Sequence, residues 1–297
     1  MKALPLASLI LYCFLLMTSF TACNSKNSGT SYQPQFADDT LDENTLIFGF
    51  PSISFIETAM PMIDYLNAHL SGVKVKLKAC VTYDEYMDDL KTDKLDITFI
   101  SGIGGIKLES HGYSIVGKVS DDNSYTGAIF IKKDPAIKKP ADLKGKRIGI
   151  VPSKVMPGTM MPLYYLYQNG LNVNDDIVRV EASSFESAII TTYMGKTDAG
   201  VCLKRSWDVY VKSHPETLNE LELKWETPPQ INNALLVKED IDSKIIAQIT
   251  DVLFSMHTTP EGRAALSKVG VTGMEKANSD TYKPMMEFKR KYDDVID

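Results

Sequence analysis

Seven hydroxyl side chains stand just before or inside the starts of helical patterns: Ser52, Ser54, Ser101, Ser153, Thr159, Ser183 and Ser184. Their segments are "PSIS" at 51–54, "SGIGG" at 101–105, "PSKVMPGT" at 152–159 and "SS" at 183–184, and each lies beyond an apolar run that reads as a strand. The first N–H groups of a helix are unpaired and point outward, so such a start can hold a phosphate, a carboxylate or another polar group. Gly102 and Gly158 would let a ligand approach the backbone closely, and Lys154 would add a positive charge. Tyr125 is placed either to stack on a ligand or to pack at a junction. Met156, with Met160 and Met161, is adaptable apolar surface that suits a core or an organic group. Each serine or threonine also has a plainer reading, as the N-cap of its own helix. Four such starts facing one cleft would favour binding collectively.

Catalysis has less to work with. His69, His111, His214 and His257 have unlike neighbours and no paired spacing. There is no HExxH, no GxSxG and no P-loop, and "SGIGGIK" lacks the spacing of a dinucleotide loop. Asp96 and Asp198, each just before an apolar strand, read as strand-end or capping residues rather than catalysts. No CxxC or Cys/His cluster supports a zinc site, so neither metal nor cofactor is expected. Cys80 and Cys202 sit in or beside apolar strands, where they can pair in an oxidising compartment or stay as buried thiols. A net charge of −6, with no basic run of five or more, argues against a nucleic-acid partner.

The elements that must position these residues alternate as strand and helix, which is α/β patterning. "TLIFGF" (45–50) is followed by a helix over 56–70 with a stripe of Ile56, Met60, Ile63, Leu66 and Leu70. "VKVKLKAC" alternates as a half-buried strand, and Thr82 with Glu85 makes a capping box before a short helix. "KLDITFI" (94–100) is the next strand, and "YSIVGKV" and "TGAIFIKK" read as extended segments around "SDDNS". The pattern then restarts: strand 147–151, helix 158–169, strand "IVRVE", helix 184–194 with Ser183 and Glu186 at capping-box spacing, and strand "AGVCL". A second βαβ unit means a second sheet with its own core. The prolines of "ELKWETPPQ" break any continuing strand, "NALLV" returns as a strand, and helices follow over 242–256, 260–269 and 279–292.

Before the first strand lies a different kind of sequence. Lys2 and the apolar stretch from Leu4 to about Phe20 have the plan of a secretory signal. "FTAC" (20–23) resembles a bacterial lipobox with Phe20 in place of the usual Leu, which would make residues 1–22 the signal and Cys23 the lipidated residue. An ordinary signal peptide is the competing reading. Residues 23–43 are polar and read as a tether, and the remaining body of about 250 residues is one large or two ordinary domains. Acyl chains on Cys23 would hold the protein on the extracytoplasmic face of a membrane, in the cell envelope.

Four stretches, "TYDEYMDDLKTDKLDITFISG" (82–102), "ADLKGKRIGIV" (141–151), "SSFESAIITTYMGKTDAGV" (183–201) and "TPEGRAAL" (259–266), resemble the solute-binding proteins of ABC transporters. The nearest group is the phosphate, phosphite and phosphonate binding family. The resemblance implies an α/β type II periplasmic binding fold, with lobe 1 from 44–126 plus 232–297 and lobe 2 from 127–231. Crossing hinge strands would join the lobes, a small-molecule solute would bind between them, and an ABC permease would be the partner of a monomeric receptor. The same chain departs from the family's anion clamp. Where the family typically has Ser-Thr-Ser-Gly, Val155, Met156, Pro157 and Gly158 stand here, Phe185 takes the place of a frequent histidine, and Gly105 that of an aromatic. The expectation is therefore an organic, anionic solute with more apolar surface than phosphate. A ligand-binding sensor or orphan binding lipoprotein is the alternative, and an enzyme with its site in the interlobe cleft is the third reading.

Overall fold

The computed structural model describes residues 44–151 and 155–296. The signal, Cys23, the tether, Ser153 and Lys154 lie outside the described residues. Among the described residues no helix is long and apolar enough to cross a membrane.

The chain builds two sheets. The first half gives β1 (Thr45–Phe50), α1 (Ile56–His69), β2 (Lys74–Ala79), α2 (Tyr83–Lys91), β3 (Ile97–Ile100), α3 (Gly102–Glu109) and β4 (Tyr113–Val119). The chain then crosses to β5 (Gly127–Lys132), β6 (Arg147–Ile150), α4 (Met161–Gln168), β7 (Val178–Glu181), α5 (Phe185–Tyr193), β8 (Ala199–Leu203), α6 (Lys204–Ser213), α7 (Thr217–Glu220) and β9 (Leu221–Glu226). It returns through β10 (Ala234–Lys238), α8 (Ser243–Ser255), α9 (Pro260–Val269), β11 (Met274–Lys276) and α10 (Lys283–Asp293). Strand order is β11-β4-β10-β3-β1-β2 in one sheet and β7-β6-β8-β5-β9 in the other. In both, the strand in the fourth place from the β2 or β7 edge, β10 or β5, comes from the far side of a crossing and runs antiparallel to its neighbours. This is the type II binding-protein architecture, two α/β lobes joined by crossing segments.

The two lobes repeat one device. Asp96, just before β3, accepts the Ile47 N–H of β1 at 2.7 Å on Oδ2, and Asp198, just before β8, accepts the Arg147 N–H of β6 at 2.8 Å. Each aspartate fixes the register at which its strand enters beside the first strand of the lobe, the strand-end role that its position suggests. Their charges differ in setting. Asp198 is held below the usual carboxylate value by the Arg147 guanidinium, whereas burial raises Asp96 despite the Ile47 N–H and Lys238.

Local signals hold in part. Thr82 caps α2 by accepting the Glu85 N–H at 3.1 Å, but the Glu85 carboxylate closes on Val81 N–H rather than on the cap itself. Thr259 caps α9, with Pro260 in its first turn. The box before α5 lies one residue later than the spacing of Ser183 and Glu186 suggests: Ser184 accepts Ser187 N–H at 3.1 Å and Ser187 Oγ accepts Ser184 N–H at 2.9 Å. A serine at N3 can return the bond as a glutamate would, which is why the spacing misled. The buried stripe of α1 is Ala59, Met62, Ile63 and Leu66, rotated from the expected Ile56–Leu70 line. The helix expected over 158–169 starts as a π-turn, Met156–Met160, in which Met161 N–H reaches Met156 O. α3, α6 and β9 form where the pattern gives no clear helix or strand. Cys80 and Cys202 are both buried and unpaired.

α10 is a shared seam. Its Phe288 packs edge-on against Tyr164 of α4 at 5.3 Å between ring centroids, and just beyond it the Val295 carbonyl accepts from Asn174 Nδ2 at 3.1 Å. One apolar cluster accordingly runs from Tyr86 and Leu90 near the first sheet to Ile129 and Ile148 of the second.

Candidate functional site

The carboxyl ends of β1, β3 and β4 in one lobe and of β6, β7 and β8 in the other turn toward the two crossings, and open α/β sheets bind ligands beyond such ends. The crossings, residues 120–126 and 227–233, are laced together. Asn232 N–H donates to Asp122 Oδ1 at 2.9 Å, Asn232 Nδ2 to Asp121 O at 2.8 Å, and Gln230 N–H to Tyr125 O at 3.1 Å. Lys118, almost wholly buried, sits between Asp122 and Glu275 at 2.8 Å from each. The two crossings are therefore braced against each other by polar contacts.

Tyr125 is buried in this hinge, and its hydroxyl donates to Asn233 Oδ1 at 2.9 Å. Of its two sequence readings, packing at the junction is the one the contacts describe. Burial raises its phenol well above the ordinary value, Tyr83 raises it further, and Arg205 acts the other way.

The hydroxyl candidates divide by what holds them. Ser101 Oγ accepts Gly104 N–H at 3.3 Å and Ser184 caps α5, so both act as caps. Ser183 Oγ lies 3.2 Å from Ser187 Oγ. Thr159 is fully buried and donates its hydroxyl to Val151 O at 2.9 Å, which commits its proton inside the fold. Ser52 O accepts Phe55 N–H in the turn after β1, and Ser54 lies in that turn. Met156, Met160 and Met161 are all buried, the core alternative of the sequence reading.

The two glycines are packing positions. A Cβ at Gly102 would lie 1.9 Å from Tyr282 Cδ1, and one at Gly158 would lie 2.0 Å from Phe185 Cε1. In each case an aromatic ring occupies the space that a side chain would need. Exposed apolar side chains stand elsewhere: Ile53, Val81 and Tyr83, after β1 and β2, are each about half exposed or more.

Arg205 is the residue that sequence patterning misses. It stands in the first turn of α6, directly beyond β8, and Nη1 donates to the carbonyl of Gly270 in the first lobe. Gly270, with φ of 76°, ends α9 and leads toward β11, whose Met274 pairs with Val119 at the end of β4. Burial pushes the guanidinium below its ordinary value. The available signal was position alone, a basic residue just past a core strand in "CLKRSW".

This arrangement has neither a nucleophile beside a base nor a clustered ligand set around the hinge among the described residues. The group Cys80, Glu85 and Asp89, between the end of β2 and α2, is already engaged: Asp89 is paired with Lys78 at 2.8 Å and Lys94 at 3.2 Å, and Glu85 accepts the Val81 N–H.

Comparison with known proteins decides the family. The model described as "ABC transporter, phosphonate, periplasmic substrate-binding protein" matches residues 51–282. The chain belongs to this phosphonate-type substrate-binding family. It is 21% identical over 238 residues to the probable ABC transporter phosphite binding protein PhnD1 of Prochlorococcus marinus, covering 75% of this chain and 80% of that protein. It is 22% identical over 207 residues to the phosphonates-binding periplasmic protein of Escherichia coli, covering 67% of this chain and 61% of the relative. The solved structure of Prochlorococcus PhnD1 in complex with methylphosphonate superposes with a TM-score of 0.75 at 19% identity, over 86% of this chain and all of that one.

Within this phosphonate-type family the departures have structural counterparts. Val155 opens the π-turn, and its carbonyl takes the N–H groups of both Thr159 and Met160. Phe185 fills the hollow over Gly158, and Gly105 is packed against Ile115 and Leu236. The loop at the family's clamp position is thus tied down by its own backbone and by aromatic packing.

Proposed function

We propose that this protein is the extracytoplasmic receptor of an ABC importer, capturing a small organic solute between its lobes and presenting it to a permease. In this reading residues 44–126 plus 232–297 form lobe 1, residues 127–231 form lobe 2, and the ligand bridges them. Closure is favoured by ligand because only the closed form contacts it from both sides. Cys23 carries the lipid and residues 23–43 the tether, which keep the receptor beside its membrane.

The observation that supports the reading is the lacing of the two crossings, Asn232 to Asp121 and Asp122 and Gln230 to Tyr125, in a chain of the phosphonate-type family. The half-exposed Tyr83 ring with Ile53 and Val81 gives the first lobe apolar surface for an organic group. Thermal-shift screening of phosphate, phosphite, alkylphosphonates and alkanesulfonates tests it. A ligand at 100 times its Kd stabilises by about 2.7 kcal/mol, an easily read shift. Phosphate giving the largest shift would refute the organic character of the solute, and no shift with any small molecule would refute solute capture.

A further inference from the structure

The lobes touch on both faces of the hinge, through contacts of opposite kinds. Strand alternation shows which face each helix covers. In β5, Ile129 and Ile131 share an apolar cluster with Leu163 and Leu166 of α4, while Ala128 and Phe130 pack with Trp207 of α6. In β10, Ala234 and Leu236 share that first cluster with Met285 and Tyr292 of α10, while Leu235 and Val237 join Ala265 and Leu266 of α9. The α10 seam and the Arg205 bond to Gly270 therefore lie on opposite faces. On the α10 face one cluster runs through both lobes, closed by Phe288 on Tyr164 and by the Asn174 bond to Val295 O. On the other face the clusters of the two lobes stay separate, and Arg205 meets the Gly270 carbonyl in an exposed contact.

The segment that leads into α10 is itself tied into the hinge. Glu275 pairs with Lys118, which also holds Asp122 of the first crossing, and the Tyr282 hydroxyl donates to Asn232 O of the second. Parting the seam would return apolar surface to water at a cost that grows with area, and Tyr292 and Ile296 at its far end are almost fully buried. An exposed arginine–carbonyl bond is instead exchanged for bonds to water at little net cost.

We propose that α10 is a third interlobe connection that makes lobe movement one-sided. The α10 seam stays shut and serves as the fulcrum, and the lobes part on the face of α6 and α9, where Arg205 leaves Gly270. This inference takes lobe movement from the receptor reading above and needs no particular solute.

Pulsed electron paramagnetic resonance of two spin-label pairs tests it, on the purified protein in a Cys23→Ser background, Cys80 and Cys202 being buried. Tyr167→Cys with Lys291→Cys spans the seam, and Val209→Cys with Lys268→Cys spans the opposite face, all four at exposed positions. Adding Arg205→Ala should lengthen the α6–α9 distance by more than about 2 Å, the scale of a domain rearrangement, and leave the seam distance within that limit. Adding Phe288→Ala with Asn174→Ala instead should broaden the seam distribution. Melting shows that each variant is folded, and Phe288→Leu serves if the double variant is not. If Arg205→Ala moves the seam pair as far as the other pair, or moves neither, the inference is overturned. A seam distribution unchanged by the seam variants overturns it too. The thermal-shift screen reads solute capture separately, so these outcomes leave that part of the receptor reading standing.

Discussion

Replacing Gly102 by alanine separates a packing glycine from a ligand-approach glycine. The new Cβ would lie 1.9 Å from Tyr282 Cδ1 and 2.5 Å from both Cε1 and Cγ. Comfortable carbon contact is about 3.5–4.0 Å, so ring and helix must separate by roughly 1.5 Å. Tyr282 is fully buried, and its hydroxyl donates to Asn232 O at 2.9 Å. Overpacking costs about 1–3 kcal/mol, and loss of that hydrogen bond adds about 0.5–1.5 kcal/mol. Alanine in place of glycine returns up to about 1 kcal/mol of helix propensity. The balance is a loss of about 2 kcal/mol, or roughly 4–8 °C in Tm for a body of this size. Urea unfolding followed by far-UV circular dichroism should show a lowered midpoint at unchanged slope. In a Tyr282→Leu background the same substitution should cost less than about 0.5 kcal/mol, because the ring it strikes is gone. An unchanged midpoint for Gly102→Ala, with weakened solute binding instead, would refute the packing account and restore the ligand role.

Three further outcomes follow from the charges and thiols. Asp198→Asn should destabilise at neutral pH by about 1 kcal/mol, a charged hydrogen bond discounted for partial exposure. Because the Asp198 pKa is lowered by Arg147, its contribution is present above the ordinary carboxylate value and fades as pH falls through the lowered one. Denaturation curves of wild type and variant should therefore converge as the pH falls through that lowered value. Asp96→Asn keeps an acceptor for Ile47 N–H and removes a desolvated charge, so it should change stability at pH 7 by less than about 0.5 kcal/mol. Lys118→Met should cost about 1–3 kcal/mol by stripping Asp122 and Glu275 of their shared cation. The Lys118 pKa is raised, so its contribution is full below 10.5 and is lost at higher pH; the variant should lack that alkaline decline in Tm. Burial pushes the Cys80 thiol up to about 12 and raises Cys202 as well, so alkylation at pH 8 should spare both in the native protein and modify both in urea.

Much of the fold was legible because each lobe is built from local signals. The strands at 45–50 and 147–150, the Thr82 and Thr259 caps, and the restart of the βαβ pattern are all decided within a few residues of chain. What escaped was decided by tertiary packing. α3 contains "GIGGI", poor helix material by propensity, and it forms because Ser101 caps it while Tyr282 and Leu236 pack against its glycines. α6 follows β8 without a break, so "CLKRSW" gives no turn residue to mark the boundary. The site was harder for the same reason. Ser101 and Ser184 were rightly placed at helix starts, but whether a cap's hydroxyl also meets a ligand is not a local property. Gly102 and Gly158 have partners 180 and 27 positions away in Tyr282 and Phe185. Arg205 meets Gly270, 65 positions along the chain.

The repetition of the lobes sharpens what their differences mean. β3 and β8 hold equivalent places, each preceded by an aspartate that accepts an N–H from the first strand of its lobe. Beyond β3 the chain continues with Ser101 and a glycine-rich helix; beyond β8 it continues with Arg205. The N-cap place that Ser101 holds in one lobe is held by Leu203 in the other, and Arg205 stands two residues further on, inside α6. The loops after β1 and β2 extend the contrast, since they leave Ile53, Val81 and Tyr83 exposed. On the receptor reading proposed above, walls that differ in this way would favour a solute whose two ends differ as well, held in one orientation rather than two.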